Sequence, residues 1–273
     1  MMKLELIPVY QHLECYICKS GQAEADLDAL WNEYAIKPYW ERLSCWAPFD
    51  MSDRKPKPVR DIPKLRQQIA LLNQMDLIKL EETFIHIMSA LPMEGDDTIT
   101  IAVYPLEDGD GSIKNRQNGV LGTSIFGNIL IQVDPLAENF AEWVPYVFAH
   151  EYHHSVWGAY WYVNHGGATG QLIESLVIDG QADSFATSLF PWLNPSWLNQ
   201  IPADKEKQLW NEHYAGNLNS TDYDYGRLMF GDTAEEVPWC AGYSYGYKIV
   251  QSYLQHNPGI SFKQLLETSA QDI

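Results

Sequence analysis

A chain of 273 residues with 36 acidic and 18 basic side chains carries a formal charge of −18. That surface repels nucleic acid and anionic membranes, so neither is an expected partner, and it mildly favours basic over acidic substrates. The apolar share of 46% is enough for one large core or two small ones, and no apolar run approaches the ~20 residues of a membrane-crossing helix. No N-terminal segment combines a basic region, an apolar stretch and a cleavage site, so the expectation is a soluble cytoplasmic protein.

Residues 2–11 read as a short strand or an extended lead-in. Cys15 and Cys18 form a C-x-x-C, but no second pair follows at zinc-ribbon spacing. They read as ordinary reduced cysteines with no assigned role. Over residues 21–44 Leu27, Leu30, Trp31 and Tyr34 recur at helical spacing, with Ser20 as the expected cap and Pro38 as the expected bend. Residues 48–59 form a loop by their prolines and charges, and the periodic stretch 61–91 predicts one or two helices. The β-branched run TITIAVYPL predicts a strand over 98–106. An acid-crowded turn follows at 107–112, and NILIQVD within 119–134 predicts a second strand.

From Pro135 an amphipathic helix is expected, with Asp134 as its cap, running into His150-Glu151-Tyr152-His153-His154 and stopping at Asn164-His165-Gly166-Gly167. The five residues from His150 fit H-E-x-x-H. Residues four apart share a helix face, so His150 and His154 can hold one ion with Glu151 beside it. Neutral imidazoles suit zinc, and a carboxylate next to a zinc-bound water can take its proton. His153 points about 100° away and is not an expected ligand. His165, in the loop, is not one either.

Such a site needs a third protein ligand and an open fourth position. The helical pattern over 171–189 offers Glu174, Asp179 and Asp183. Asp179 and Asp183 are one turn apart on one face, whereas Glu174 lies about 140° round from Asp179. Asp179 is read as the ligand and Asp183 as the acid that holds a ligating histidine by its second ring nitrogen. The alternative makes Glu174 the ligand. Beyond residue 190, prolines break the chain, 204–218 reads as an amphipathic helix, 221–239 as a loop or lid, and 242–254 and 261–270 as helices.

HEYHH, IDGQADSFA and GYSYGYKIV resemble an uncharacterised bacterial family of predicted zinc-dependent proteases, over roughly residues 99–254. More distantly the layout is similar to the gluzincins, which carry H-E-x-x-H on one helix and a glutamate ligand on a later one, often as Glu-Gly-x-Ala. The matching segment here is Asp179-Gly180-Gln181-Ala182, with a ligand one methylene shorter. The acid that follows a gluzincin ligand by four residues and orients a histidine matches Asp183. The resemblance further implies an edge strand for extended peptides within 122–134, and an oxyanion donor on the late helix, Tyr243 first and Tyr247 next.

The expected fold is α+β, mostly helical and zincin-like, with a small mixed sheet beside the two metal-binding helices. It would be a single domain over 1–273, comprising an N-terminal helical part to about residue 95 and a metal-site core from about residue 96. The expected activity is zinc-dependent hydrolysis of a peptide or protein substrate, with Zn²⁺ held by His150, His154 and Asp179 and with Glu151 as general base. The alternative is a non-catalytic zincin-fold protein that binds or regulates.

Overall fold

Residues 2–273, apart from 233 and 235, are described by a computed structural model, which divides into two units, Met1–Val156 and Trp157–Ile273.

The first unit is built on four strands, β1 (Lys3–Pro8), β2 (Thr98–Pro105), β3 (Val120–Ile125) and β4 (Asn128–Val133), in the order β1-β2-β4-β3. β1 and β4 run parallel to β2, and β3 is an antiparallel edge strand on β4. The burial patterns agree with that order. β2 and β4 are covered almost throughout and read as apolar runs, whereas β1 and β3 are largely half-exposed. Residues 119–134 thus hold a hairpin rather than one strand, and only its first arm has a free edge. Fold class is as expected, α+β with a small mixed sheet. The subdivision near residue 95 does not coincide with the unit boundary. β1 pairs with β2 from Lys3–Thr98 to Pro8–Val103, so the N-terminal helices form the crossover that a parallel pair requires.

That crossover contains α1 (Glu14–Ser20), α2 (Leu27–Trp31), α3 (Lys37–Leu43), α4 (Ile62–Leu72) and α5 (Leu77–Ala90). Ser20 ends α1, its hydroxyl donating to Tyr16 O at 2.6 Å, and does not cap the next helix. Asp26 does so, accepting from Asp28 and Ala29 N–H. Pro38 sits in the first turn of α3, where a missing N–H is tolerated. Val9, Leu13, Tyr16, Trp31 and Leu65 pack with Ala102, Tyr104 and Leu130 of the sheet. After β2, the acidic turn satisfies itself: Asp108 accepts from Ile113 and Lys114 N–H at the start of α6 (Ser112–Arg116). The helix that carries the histidines is α7 (Phe140–Gly158). Asp134 does not cap it. Its buried carboxylate accepts from Gln68 Nε2 at 3.1 Å and faces Lys64 Nζ at 3.4 Å. Phe148 of α7 stacks on Phe84 of α5 at 4.0 Å, and Tyr152 donates to Leu91 O at 2.9 Å.

The second unit contains α8 (Leu172–Leu189), α9 (Glu206–Leu209), α10 (Tyr225–Phe230), α11 (Ala241–His256) and α12 (Phe262–Glu267). α8 and α11 meet backbone to backbone at two glycines. A methyl on Gly180 would run into Gly246 O, and one on Gly246 into Leu176 O. A glycine inside a helix costs about 1 kcal/mol against alanine, so here it serves close approach. Gly180→Ala is therefore expected to lower stability by about 3 kcal/mol, read as a lower denaturant midpoint at unchanged slope. The expected loop or lid over 221–239 instead holds α10, with Arg227 paired to Asp232 at 2.8 Å and Glu236 at 2.9 Å; residues 233 and 235 of that stretch lie outside the described residues. No helix among the described residues is long and apolar enough to cross a membrane.

Candidate metal centre

α7 was expected to be amphipathic. It is instead buried round nearly its whole circumference from Trp143 to Trp157, and continues past Pro145. A helix covered on all sides carries no apolar stripe. Its polar side chains therefore stand out: His150, Glu151, His153 and Ser155 are all buried. The four-residue spacing brings His150 Nε2 and His154 Nε2 to 3.0 Å of each other, with ring planes at 83°. Two imidazole nitrogens on one tetrahedral zinc lie roughly 3.3 Å apart, given Zn–N bonds near 2.05 Å. The pair is thus set close to ligating geometry. His153 is fully buried, and its ring centroid lies 6.2 Å from that of His154.

α8 supplies the acids. One donor atom each of His150, His154 and Asp179 lies within 4.8 Å of the other two. Two imidazoles and a carboxylate are the donor set of a zinc site with three protein ligands, so the residues fit that ion. Glu174 is not in this group. It lies in the first turn of α8, where its carboxylate accepts from Thr169 N–H at 3.0 Å and Gly170 N–H at 2.6 Å. An anion there complements the helix dipole, which explains a glutamate without chemistry.

Asp183 is fully buried one turn after Asp179, and both its oxygens accept from Trp197 Nε1, at 3.2 and 3.3 Å. Trp197 sits on a short 3-10 turn, Ser196–Asn199, tied to α11 because Ser244 Oγ donates to Trp197 O at 2.9 Å. The prolines of residues 191–199 predict only a break in the chain, and no spacing there marks this tryptophan. The available signal was chemical: a buried indole N–H needs an acceptor.

The two tyrosine candidates separate. Tyr243 packs against Phe230, with ring centroids 5.6 Å apart. Tyr247, one turn on, lies in the field of Asp183. Burial raises the pKa of its hydroxyl, a hydrogen bond with Thr187 lowers it, and the negative charge of Asp183 raises it again. The net shift is upward, so this phenol stays a neutral donor. His165 is held locally, its Nδ1 at 2.7 Å from Tyr160 O. Cys15 and Cys18 lie exposed on α1 as free thiols, and Cys18 Sγ donates to Glu14.

Residues 79–273 match the model of a family described as predicted Zn-dependent protease (DUF2268). The chain belongs to this family. The matched region includes both motif helices and reaches back to α5. The chain is also 31% identical over 159 residues to uncharacterized protein YjfC of Bacillus subtilis (strain 168). That alignment covers 53% of this chain and 51% of the relative, so the chain spans about half the length of the curated relative it matches. No solved structure matches the chain. The group at His150, His154 and Asp179, which could hold a metal ion, agrees with that description.

Proposed function

We propose that the protein is a zinc-dependent hydrolase acting as a peptidase. The observation that carries this reading is the convergence of His150, His154 and Asp179, with the acid Glu151 directly after the first ligand on the same helix. Bound there, zinc would polarise a scissile carbonyl and lower the pKa of a water toward neutrality. Glu151 accepts a proton from the attacking water on a carboxylate oxygen and returns it to the leaving amine nitrogen. Asp183 holds a ligating imidazole in orientation and is itself fixed by Trp197. A phenol of α11 donates to the developing oxyanion. By resemblance this is Tyr243, with Tyr247, one turn on, as the next candidate. The substrate is a peptide or protein met in the cytoplasm. The charge of −18 argues against nucleic acid and anionic membranes as partners.

A second reading, a zinc-binding protein without hydrolytic activity, is favoured by Asp179 standing where gluzincins carry a glutamate. One experiment separates the two. Protein with its metal removed by a chelator is incubated with a peptide library, with and without added zinc, and the products are read by mass spectrometry. Cleavage that disappears with the metal and returns with zinc is the expected result. Cleavage that persists without metal would overturn the mechanism, and bound zinc with no cleavage of any peptide would favour the second reading.

A further inference from the structure

Resting on the reading of Glu151 as general base, we propose that Gly122 is the positioning residue for its carboxylate. Gly122 lies in the edge strand β3, opposite Ile131 of β4. Its backbone is that of an ordinary strand, which any residue adopts. A glycine inside a strand weakens it and marks a close approach. The approach here is to Glu151. A Cβ on Gly122 would lie 2.5 Å from Glu151 Cγ, 2.6 Å from Glu151 Oε1 and 2.6 Å from Val147 Cγ1. The carboxylate arm thus occupies the space that a side chain at 122 would fill.

A second contact fixes the register. Ser124 Oγ lies 3.2 Å from Ser155 Oγ, and the Ser155 hydroxyl donates to Glu151 O at 3.2 Å. Two residues along a strand advance about 6.6 Å and four along a helix about 6.0 Å. Gly122 against Glu151 and Ser124 against Ser155 therefore run in step, and β3 lies along the face of α7 that bears the acid. A methyl at 122 meets two neighbours of unequal stiffness. Val147 is β-branched and has one favoured rotamer on a helix, whereas Glu151 turns about three side-chain bonds. The carboxylate gives way first. The lesion is then a misplaced general base, with the Val147 contact relieved by a small shift of β3 against α7.

The test uses Gly122→Ala, Glu151→Ala and the double variant beside the wild type. Zinc content, kcat and KM for a cleaved peptide are measured, together with melting temperatures on metal-free protein. Expected for Gly122→Ala are wild-type zinc content, KM within about twofold, and kcat lower by about 100-fold, the cost of an ångström-scale misplacement. Its melting temperature falls, and falls by less when Glu151 is already alanine, because the two positions share one space. A wild-type kcat in Gly122→Ala overturns the inference, as does an equal melting-temperature loss in both backgrounds. A wild type that cleaves nothing removes the proposed function and the positioning role of Gly122 with it, while the coupled melting temperatures still report the contact.

Discussion

Glu151→Gln is expected to leave the zinc content at the wild-type level and to lower kcat by roughly 10³-fold, the middle of the range for loss of a general base. The substitution keeps the side chain's length and volume, so the space beside Gly122 stays filled and α7 keeps its packing. It removes only the capacity to take a proton, because an amide oxygen is far less basic than a carboxylate. Glu151 is buried, so bulk water is poorly placed to substitute for it. The measurement is kcat for one peptide identified in the library screen, with zinc counted by elemental analysis on the same preparations. Full activity in Glu151→Gln would remove this residue from the chemistry. Loss of zinc together with activity would make Glu151 a structural support of the site rather than its base.

How far the sequence could be read depended on how each element is buried. Elements with one covered face announced themselves by period, as in 61–91, which resolves into α4 and α5. α7 and α8 have no such face. Both are covered on nearly all sides, and the amphipathic helix expected before His150 does not exist as such. What located them was ligand spacing, which is indifferent to burial. The hairpin was missed because its turn uses Phe126 at φ 47° before Gly127 at φ 105°, and an aromatic residue is rarely found at positive φ. Ser20 and Asp26 are equally good caps by type, and the helix starts at Leu27, so Asp26 caps it. Gly122, Gly180 and Trp197 belong to a different class. Each matters through one partner distant in sequence, Glu151, Gly246 and Asp183. No local period encodes such a pairing, although a lone glycine in a helical or strand pattern was a visible question.

The acids of α8 leave two answers in the sequence: Asp179 shares a possible donor group with His150 and His154, whereas Glu174 accepts from two backbone N–H groups. Zinc content is expected to collapse in His154→Ala and Asp179→Ala and to persist in Glu174→Ala, with protein purified without added metal and then dialysed against a zinc buffer. Removing a direct ligand should weaken binding by more than the roughly 10- to 100-fold that loss of a ligand's hydrogen-bond partner costs. Glu174→Ala should show a different defect. Its carboxylate accepts two backbone N–H groups at the entry to α8, so its loss should cost about 1 kcal/mol of stability, read as a lower melting temperature at full zinc occupancy. The two phenotypes are separable because one is a binding constant and the other a melting point. Zinc lost in Glu174→Ala and kept in Asp179→Ala would move the third ligand to Glu174 and leave Glu151 in its role. A wild type that takes up no zinc would sink the metal reading altogether. Asp179→Glu sharpens the result further. The longer arm keeps the carboxylate and moves it by one methylene, so a variant that binds zinc more tightly than the wild type would mark the native aspartate as a weak ligand, whereas lost binding would mean that α8 is set for the shorter arm.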